Sequence, residues 1–154
     1  MRNVMAKLTQ REVEQIIKSA RDKGQRPDLS HRDLSAISLF EIDLSEIDLS
    51  YANLRQANLI KANLTNANLH RAQLVEANLS LANFSGANLS RADLFQAVLR
   101  GTNLSGANLS EANLNGASLI DANLSETNLS RVIYTDYTKW PADFDPRQAG
   151  ARKT

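Results

Sequence analysis

From position 29 onward the chain carries an apolar residue at every fifth position. Leu29, Leu34, Leu39 and Leu44 open a series that runs to Leu129, 21 sites in all, with Phe84 as the one substitution. Two residues before each site stands a second small or apolar residue, alanine at 14 of the 21. Between the two lies a polar residue, Asn at 12 sites and Asp at five, and Ser follows the leucine at 11. The unit reads Ala-Asn-Leu-Ser-x. A fixed period sustained over a hundred residues predicts a stack of like units.

The period also predicts the geometry. On a helix, every fifth residue drifts around the whole surface. In extended chain, residues two apart share a face, so Ala and Leu point one way and Asn the other. The next Ala lies three residues beyond the Leu, so the chain must turn once per unit to keep both pointing inward. Five residues make one short side and one corner, and four corners close a square. Positions 20 apart should therefore stack in columns along a rod. Leu54, Leu74, Phe84, Leu94 and Leu114 belong to its expected central core. The outward Asn and Asp are expected to bond neighbouring coils or corner backbone, as asparagine ladders do in stacked sheets.

This repeat resembles that of the pentapeptide-repeat proteins, and its regularity is similar to that of HetL-like cyanobacterial members. The resemblance covers residues 27 to about 134 and implies an all-β solenoid, a right-handed quadrilateral parallel β-helix. Twenty-one units give about five coils at about 4.8 Å per coil.

The flanks read differently. In residues 1–26, Thr9 and Glu12 form a capping box, and Leu8 and Val13 are placed as a hydrophobic staple. Val13, Ile16, Ile17 and Ala20 make one helical stripe, and Gly24 is a natural stop. This segment is expected to be a helix capping the first coil, where Ile37, Ile42 and Ile47 replace alanine and should meet Ile16 and Ile17. A basic helix for a membrane surface or a partner is the sharper alternative. Arg32, also at an alanine position, should leave the first coil incomplete on its side. Residues 135–154 carry Tyr137, Trp140 and Phe144 among Pro141 and Pro146, read as an aromatic cap on the last coil, with Arg152 to Thr154 loose. The organisation is thus a helix (1–26), a repeat rod (27–134) and a cap with tail (135–154).

Composition narrows the functions. There is no cysteine, which fits a reducing compartment and excludes a disulfide framework. Met1 to Leu8 lacks the apolar core of a secretory signal, and no run is long enough to span a membrane, so a cytoplasmic protein is expected. The net charge of +1 combines +4 in residues 1–26, −4 in residues 27–131 and +1 in the remainder. His31 and His70 have no placed partner. No nucleophile, metal spacing or phosphate-cradling loop is visible, so no enzyme, no metal and no cofactor are expected.

Function then falls to the outer positions. Val75, Phe95, Val98, Leu81 and Ile60 face outward by register, with Arg71 and Arg91 nearby. An exposed apolar cluster of this kind predicts a surface for a protein partner. The chain is therefore read as a monomeric, non-enzymatic interaction scaffold or regulator. The family resemblance implies an alternative, a DNA mimic that protects DNA gyrase. That reading asks for a denser acidic charge than −4, and Arg55, Arg71, Arg91 and Arg100 interrupt the faces. Binding of nucleic acid itself is not expected, because aromatic interleaving is poor and the balance near neutral.

Overall fold

A computed structural model describes residues 7–154. The reading of Met1 to Leu8 as free of a secretory signal lies largely outside those residues. Helix α1 runs Gln10–Asp22. The Thr9 side chain accepts from the Glu12 amide, and the Glu12 carboxylate accepts from the Thr9 amide at 2.7 Å, so the capping box is closed in both directions. Those bonds from Thr9 hold the Glu12 carboxyl below its ordinary value. At the other end Gln25 N–H donates to the Ala20 carbonyl and Gly24 N–H to that of Arg21, with Gly24 at φ +64°. This is the double bond of a Schellman stop.

Beyond Gly24 the backbone settles into a 20-residue period. Parallel bridges pair Asp28 with Asp48, Asp33 with Asn53, Ser38 with Asn58 and Asp43 with Asn63, and the series continues to Asn113 with Ile133. Each side contributes a single bridge residue, because only three residues separate one corner from the next. Continuous strands, which an all-β reading suggests, are therefore absent among the described residues of the 21 units, up to Arg131. Within the interior coils backbone amides are nevertheless bonded. In one unit, Leu54 N–H donates to Gln73 C=O at 2.7 Å, Gln56 N–H to Val75 C=O at 2.9 Å and Asn58 N–H back to Ile37 C=O at 2.9 Å. Ala57 N–H closes the corner on Leu54 C=O at 3.0 Å.

All 21 corners, from His31 to Arg131, hold positive φ at the second residue after the leucine. That is the third residue of a four-residue turn, where a type II turn needs it. Only Gly86, Gly101, Gly106 and Gly116 supply it with glycine. The others accept a left-handed conformation that costs roughly 1 kcal/mol per residue. Where the outward residue is Asn or Asp, its side chain supports the corner. Asn53 Oδ1 accepts from Arg55 N–H and Asn88 Oδ1 from Ser90 N–H, bridging each corner two residues on. The same side chains donate downward: Asn53 Nδ2 to Asp33 Oδ1 at 3.0 Å, Asn88 Nδ2 to Asn68 Oδ1 at 3.2 Å. Both expected roles of the asparagines are thus filled by one residue.

Inside, Leu54, Leu74, Phe84, Leu94 and Leu114 are all 0% exposed. Thr102 takes an alanine position, fully buried, and its hydroxyl donates to the Leu79 carbonyl at 2.8 Å, which removes the penalty of a buried polar group. Val13 and Ile17 of α1 lie in the same buried cluster as Ile37 and Ile47, with Ile16 and Ile42 half-buried against it. Arg32 is half-buried, and its carbonyl still accepts from Asn53 N–H, so the first coil keeps its backbone register there.

Arg21, on the polar side of the helix by sequence, reaches the rod. Its guanidinium meets Asp43 Oδ2 at 2.8 Å and the Ser45 carbonyl at 3.1 Å. Burial raises the Asp43 carboxyl, but the bonds from Ser45 and Arg21 outweigh it and the net displacement is downward. Arg26 adds a bond to the Glu46 carbonyl at 2.7 Å. The Asp43 and Ser45 carbonyls met by Arg21 are ones that a preceding coil would otherwise bond, as Leu44 and Glu46 bond those of Asn63 and Thr65.

At the far end two expectations are corrected. Tyr137 is 82% exposed and covers nothing. Tyr134 takes that place, 6% exposed, with Trp140 edge-on at 5.4 Å and Phe144 stacked on Trp140 at 5.4 Å. The reason is a register change: Lys139 pairs with Ser118, 21 residues back, which carries Trp140 into the leucine column. The tail is not loose either. Strands β1 (Ile133–Tyr134) and β2 (Arg152–Lys153) pair in parallel, with Arg152 N–H on the Val132 carbonyl at 2.7 Å and Lys153 ion-paired to Asp136.

Candidate interaction surfaces

With the axis filled by leucine and alanine, the described repeat residues offer their chemistry on the sides and corners. Among the described residues no group of His, Asp or Glu could hold a metal ion, and no helix is long and apolar enough to cross a membrane.

The side whose outward column reads Ser38, Asn58, Asn78, Val98, Ser118 differs from the other three. Ser38, Val98 and Ser118 leave it with two asparagines, and Val98 stands 37% exposed where an amide would bridge the corner. Phe95, 39% exposed, lies on the corner that leads into this side, and Leu81, 58% exposed, on the corner that leaves it. Phe40 shares the Leu81 corner in the first coil, with Lys61 Nζ over its ring at 5.9 Å and ion-paired to Glu41 at 3.1 Å. Ile60 is half-buried on that corner. Val75, expected in the exposed cluster, is only 6% exposed and is withdrawn from it. It lies between Arg55 and Phe95 in one column, 20 residues from each.

Leu81 occupies space that a side chain at position 101 would fill. A Cβ on Gly101, one coil later at φ +64°, would stand 2.8 Å from Leu81 Cδ2. Gly101→Ala is therefore expected to destabilise by about 1–2 kcal/mol, through left-handed strain plus this contact. Adding Leu81→Ala should relieve the contact but not the strain. A urea-denaturation cycle should show a favourable coupling of about 0.5 kcal/mol or more; simple additivity would mean that the leucine does not lie across the glycine.

Arg71 and Arg91 do not join the apolar cluster. They stand on a different corner, separated from Phe95 by one full side. Around them is a group that register alone left apart. The His31 and Tyr51 rings stack at 4.8 Å, His70 meets Tyr51 edge-on at 5.7 Å, and the Arg71 guanidinium lies 5.8 Å from the Tyr51 ring centre. The two histidines thus share one tyrosine, a correction to their reading as isolated. His70 Nδ1 lies 2.8 Å from Ser90 Oγ. Farther along, Glu111 accepts from Arg91 Nε at 3.0 Å and Arg131 Nη2 at 2.8 Å. The hydrogen bond from Arg91, with the charges of Arg131 and Arg71, holds the Glu111 carboxyl below its ordinary value.

The repeat chemistry seen here has known counterparts. The family model for pentapeptide repeats matches in eight copies over residues 42–80, 62–101 and 92–131. The chain belongs to the pentapeptide-repeat family. Members of this family fold as right-handed quadrilateral β-helices. Among solved structures, the pentapeptide-repeat protein Rfr23 of the cyanobacterium Cyanothece 51142 is 33% identical, over 70% of this chain and 90% of that one, with a TM-score of 0.62. HetL of Nostoc sp. PCC 7120, a pentapeptide-repeat protein involved in heterocyst differentiation regulation, is 30% identical over 80% of this chain and 67% of its own, with a TM-score of 0.40. A second pentapeptide-repeat protein of Nostoc PCC 7120 is 30% identical over 92% and 95%, with a TM-score of 0.37. No curated protein matches the sequence.

Proposed function

We propose that this pentapeptide-repeat protein is a non-enzymatic scaffold or regulator that binds a protein partner along the side of Val98. In this reading residues 27–134 form a rod of about five coils, at about 20 residues per coil. Residues 1–26 cap its first coil and residues 135–154 its last, and the molecule works as a cytoplasmic monomer. The observation that carries the proposal is the exposure of Leu81, Phe95 and Val98 on and beside one side of the rod, with Phe40 exposed on the same corner as Leu81. Large apolar side chains facing water on a filled rod contribute nothing to its core, whereas together they supply a desolvated centre for an interface.

The gyrase-protecting mimic is the weaker reading. On the Leu81 corner the acids are matched by cations, Glu41 by Lys61 and Asp121 by Arg100, so no continuous acidic stripe runs there.

The test is affinity capture from the native host with wild type and with Phe95→Glu/Val98→Glu. The double variant should lose the partner by at least about tenfold, a difference of 1.4 kcal/mol. Its thermal midpoint should stay within a few degrees, because both sites are surface positions. An unchanged set of captured proteins would sink the reading.

A further inference from the structure

The corner that carries Tyr51 has a different chemistry from the apolar side, and it asks for a different ligand. Within residues 27–131 the charge is −4, yet this corner contributes +2, from Arg71, Arg91 and Arg131 against Glu111. The rest of the rod is therefore −6. A cationic ridge has been concentrated on one edge of an otherwise acidic body.

The cations of the ridge are held, and held in a way that leaves donors over. Arg71 is placed by the Tyr51 ring, which His31 backs with a ring stacked at 4.8 Å, and that contact uses no N–H group. A guanidinium resting on an aromatic ring keeps its in-plane donors for a carboxylate fork. Arg91 is fixed through Nε alone, by Glu111 at 3.0 Å, so its terminal nitrogens remain. His70, beside Arg71 in sequence, is anchored through Nδ1 to Ser90 Oγ. Three side chains from neighbouring coils are thus ordered before anything binds. Glu111, gripped by Arg91 and Arg131 together, shows within the chain what this ridge does with a carboxylate.

We propose that the ridge docks an acidic, carboxylate-rich segment of a protein partner, with Arg71 and Arg91 as its anchors. The charge distribution selects this occupant. A short acidic segment touches only the edge, where the field is favourable. A nucleic acid would lay a dense row of phosphates against a body of charge −6, with few arginines to meet them. The proposal does not rest on the apolar side. The two surfaces belong to different edges, and one can fail without the other.

Fluorescence anisotropy with a labelled decaglutamate peptide tests it, at low and at physiological salt, with an oligothymidylate of equal length as comparator. Wild type should bind the peptide, more weakly as salt rises. Arg71→Ala/Arg91→Ala should weaken binding by about tenfold or more, the ratio that 1.4 kcal/mol gives. Arg55→Ala/Arg100→Ala removes the same charge from other corners and should change it less than about twofold, as screened distant charges do. Tyr51→Leu leaves the net charge unchanged but frees Arg71, and should fall between the two. Phe95→Ser/Val98→Ser should bind like wild type, which separates this result from the fate of the apolar side. Absence of peptide binding by wild type, equal losses in the two arginine pairs, or tighter binding of the oligothymidylate would each overturn the proposal.

Discussion

Leu74→Ala will lower the unfolding free energy by about 3–5 kcal/mol, the range for a leucine whose cavity cannot collapse. Leu74 is 0% exposed and its column neighbours, Leu54 and Leu94, are 0% exposed as well. The coils above and below are fixed by backbone bonds such as Leu54 N–H to Gln73 C=O and Leu74 N–H to Asp93 C=O, both at 2.7 Å, so they cannot close on the void. Leu124, near the end of the repeats, offers the control. It is only half-buried, beside Phe144 and the irregular C-terminal segment. Leu124→Ala should cost well under half as much. Chemical denaturation of both variants measures the difference. Equal costs would mean that the column does not act as a row of nearest-neighbour contacts, as a stacked repeat requires.

Much of this was legible in the sequence, for a physical reason. A period of five allows one backbone path that keeps two apolar positions inward, and that path fixes which residues stack. The pairing of Asn58 with Asn78 and of Asn88 with Asn108 follows from counting. The capping box at Thr9 and Glu12 was legible too, because its chemistry is local. Long side chains escaped the count. Arg21 reaches Asp43 and Ser45 across the helix–rod junction, and register places neither partner. Val75 has the register of Phe95 but is buried where Phe95 is exposed. The cluster of His31, Tyr51 and His70 joins residues from neighbouring coils, and 20-residue spacing relates only the first two. A signal was present: an aromatic ring at one corner position with an arginine 20 residues later suggests stacking. At the C-terminus a single extra residue between Ser118 and Lys139 moves Trp140 into the leucine column, and nothing in the local sequence marks where it enters. The fold came from periodicity, and the surfaces came from the exceptions to it: a valine for an asparagine, a glycine under a leucine, a tyrosine in a column of arginines.

Val13→Asp should unfasten the helix and let the first coil fray. Val13 is 0% exposed and belongs to the same cluster as Ile37 and Ile47. A carboxylate there has no cation opposite it among the described contacts, and an uncompensated buried charge costs about 3–5 kcal/mol. The rod can avoid that cost by releasing α1. Release also strips Arg21 from the Asp43 side chain and the Ser45 carbonyl. The consequence should be local, because each coil touches only its neighbours. Hydrogen exchange reads it directly. The amides of Leu29 and Leu34, which donate to Asp48 and Asn53, should lose most of their protection. Those of Leu74 and Leu94 should keep theirs. Uniform loss along the rod would mean that the molecule unfolds as one unit. Unchanged protection at Leu29 would mean that α1 leans on the first coil without closing it, and the assignment of residues 1–26 as a cap would fall.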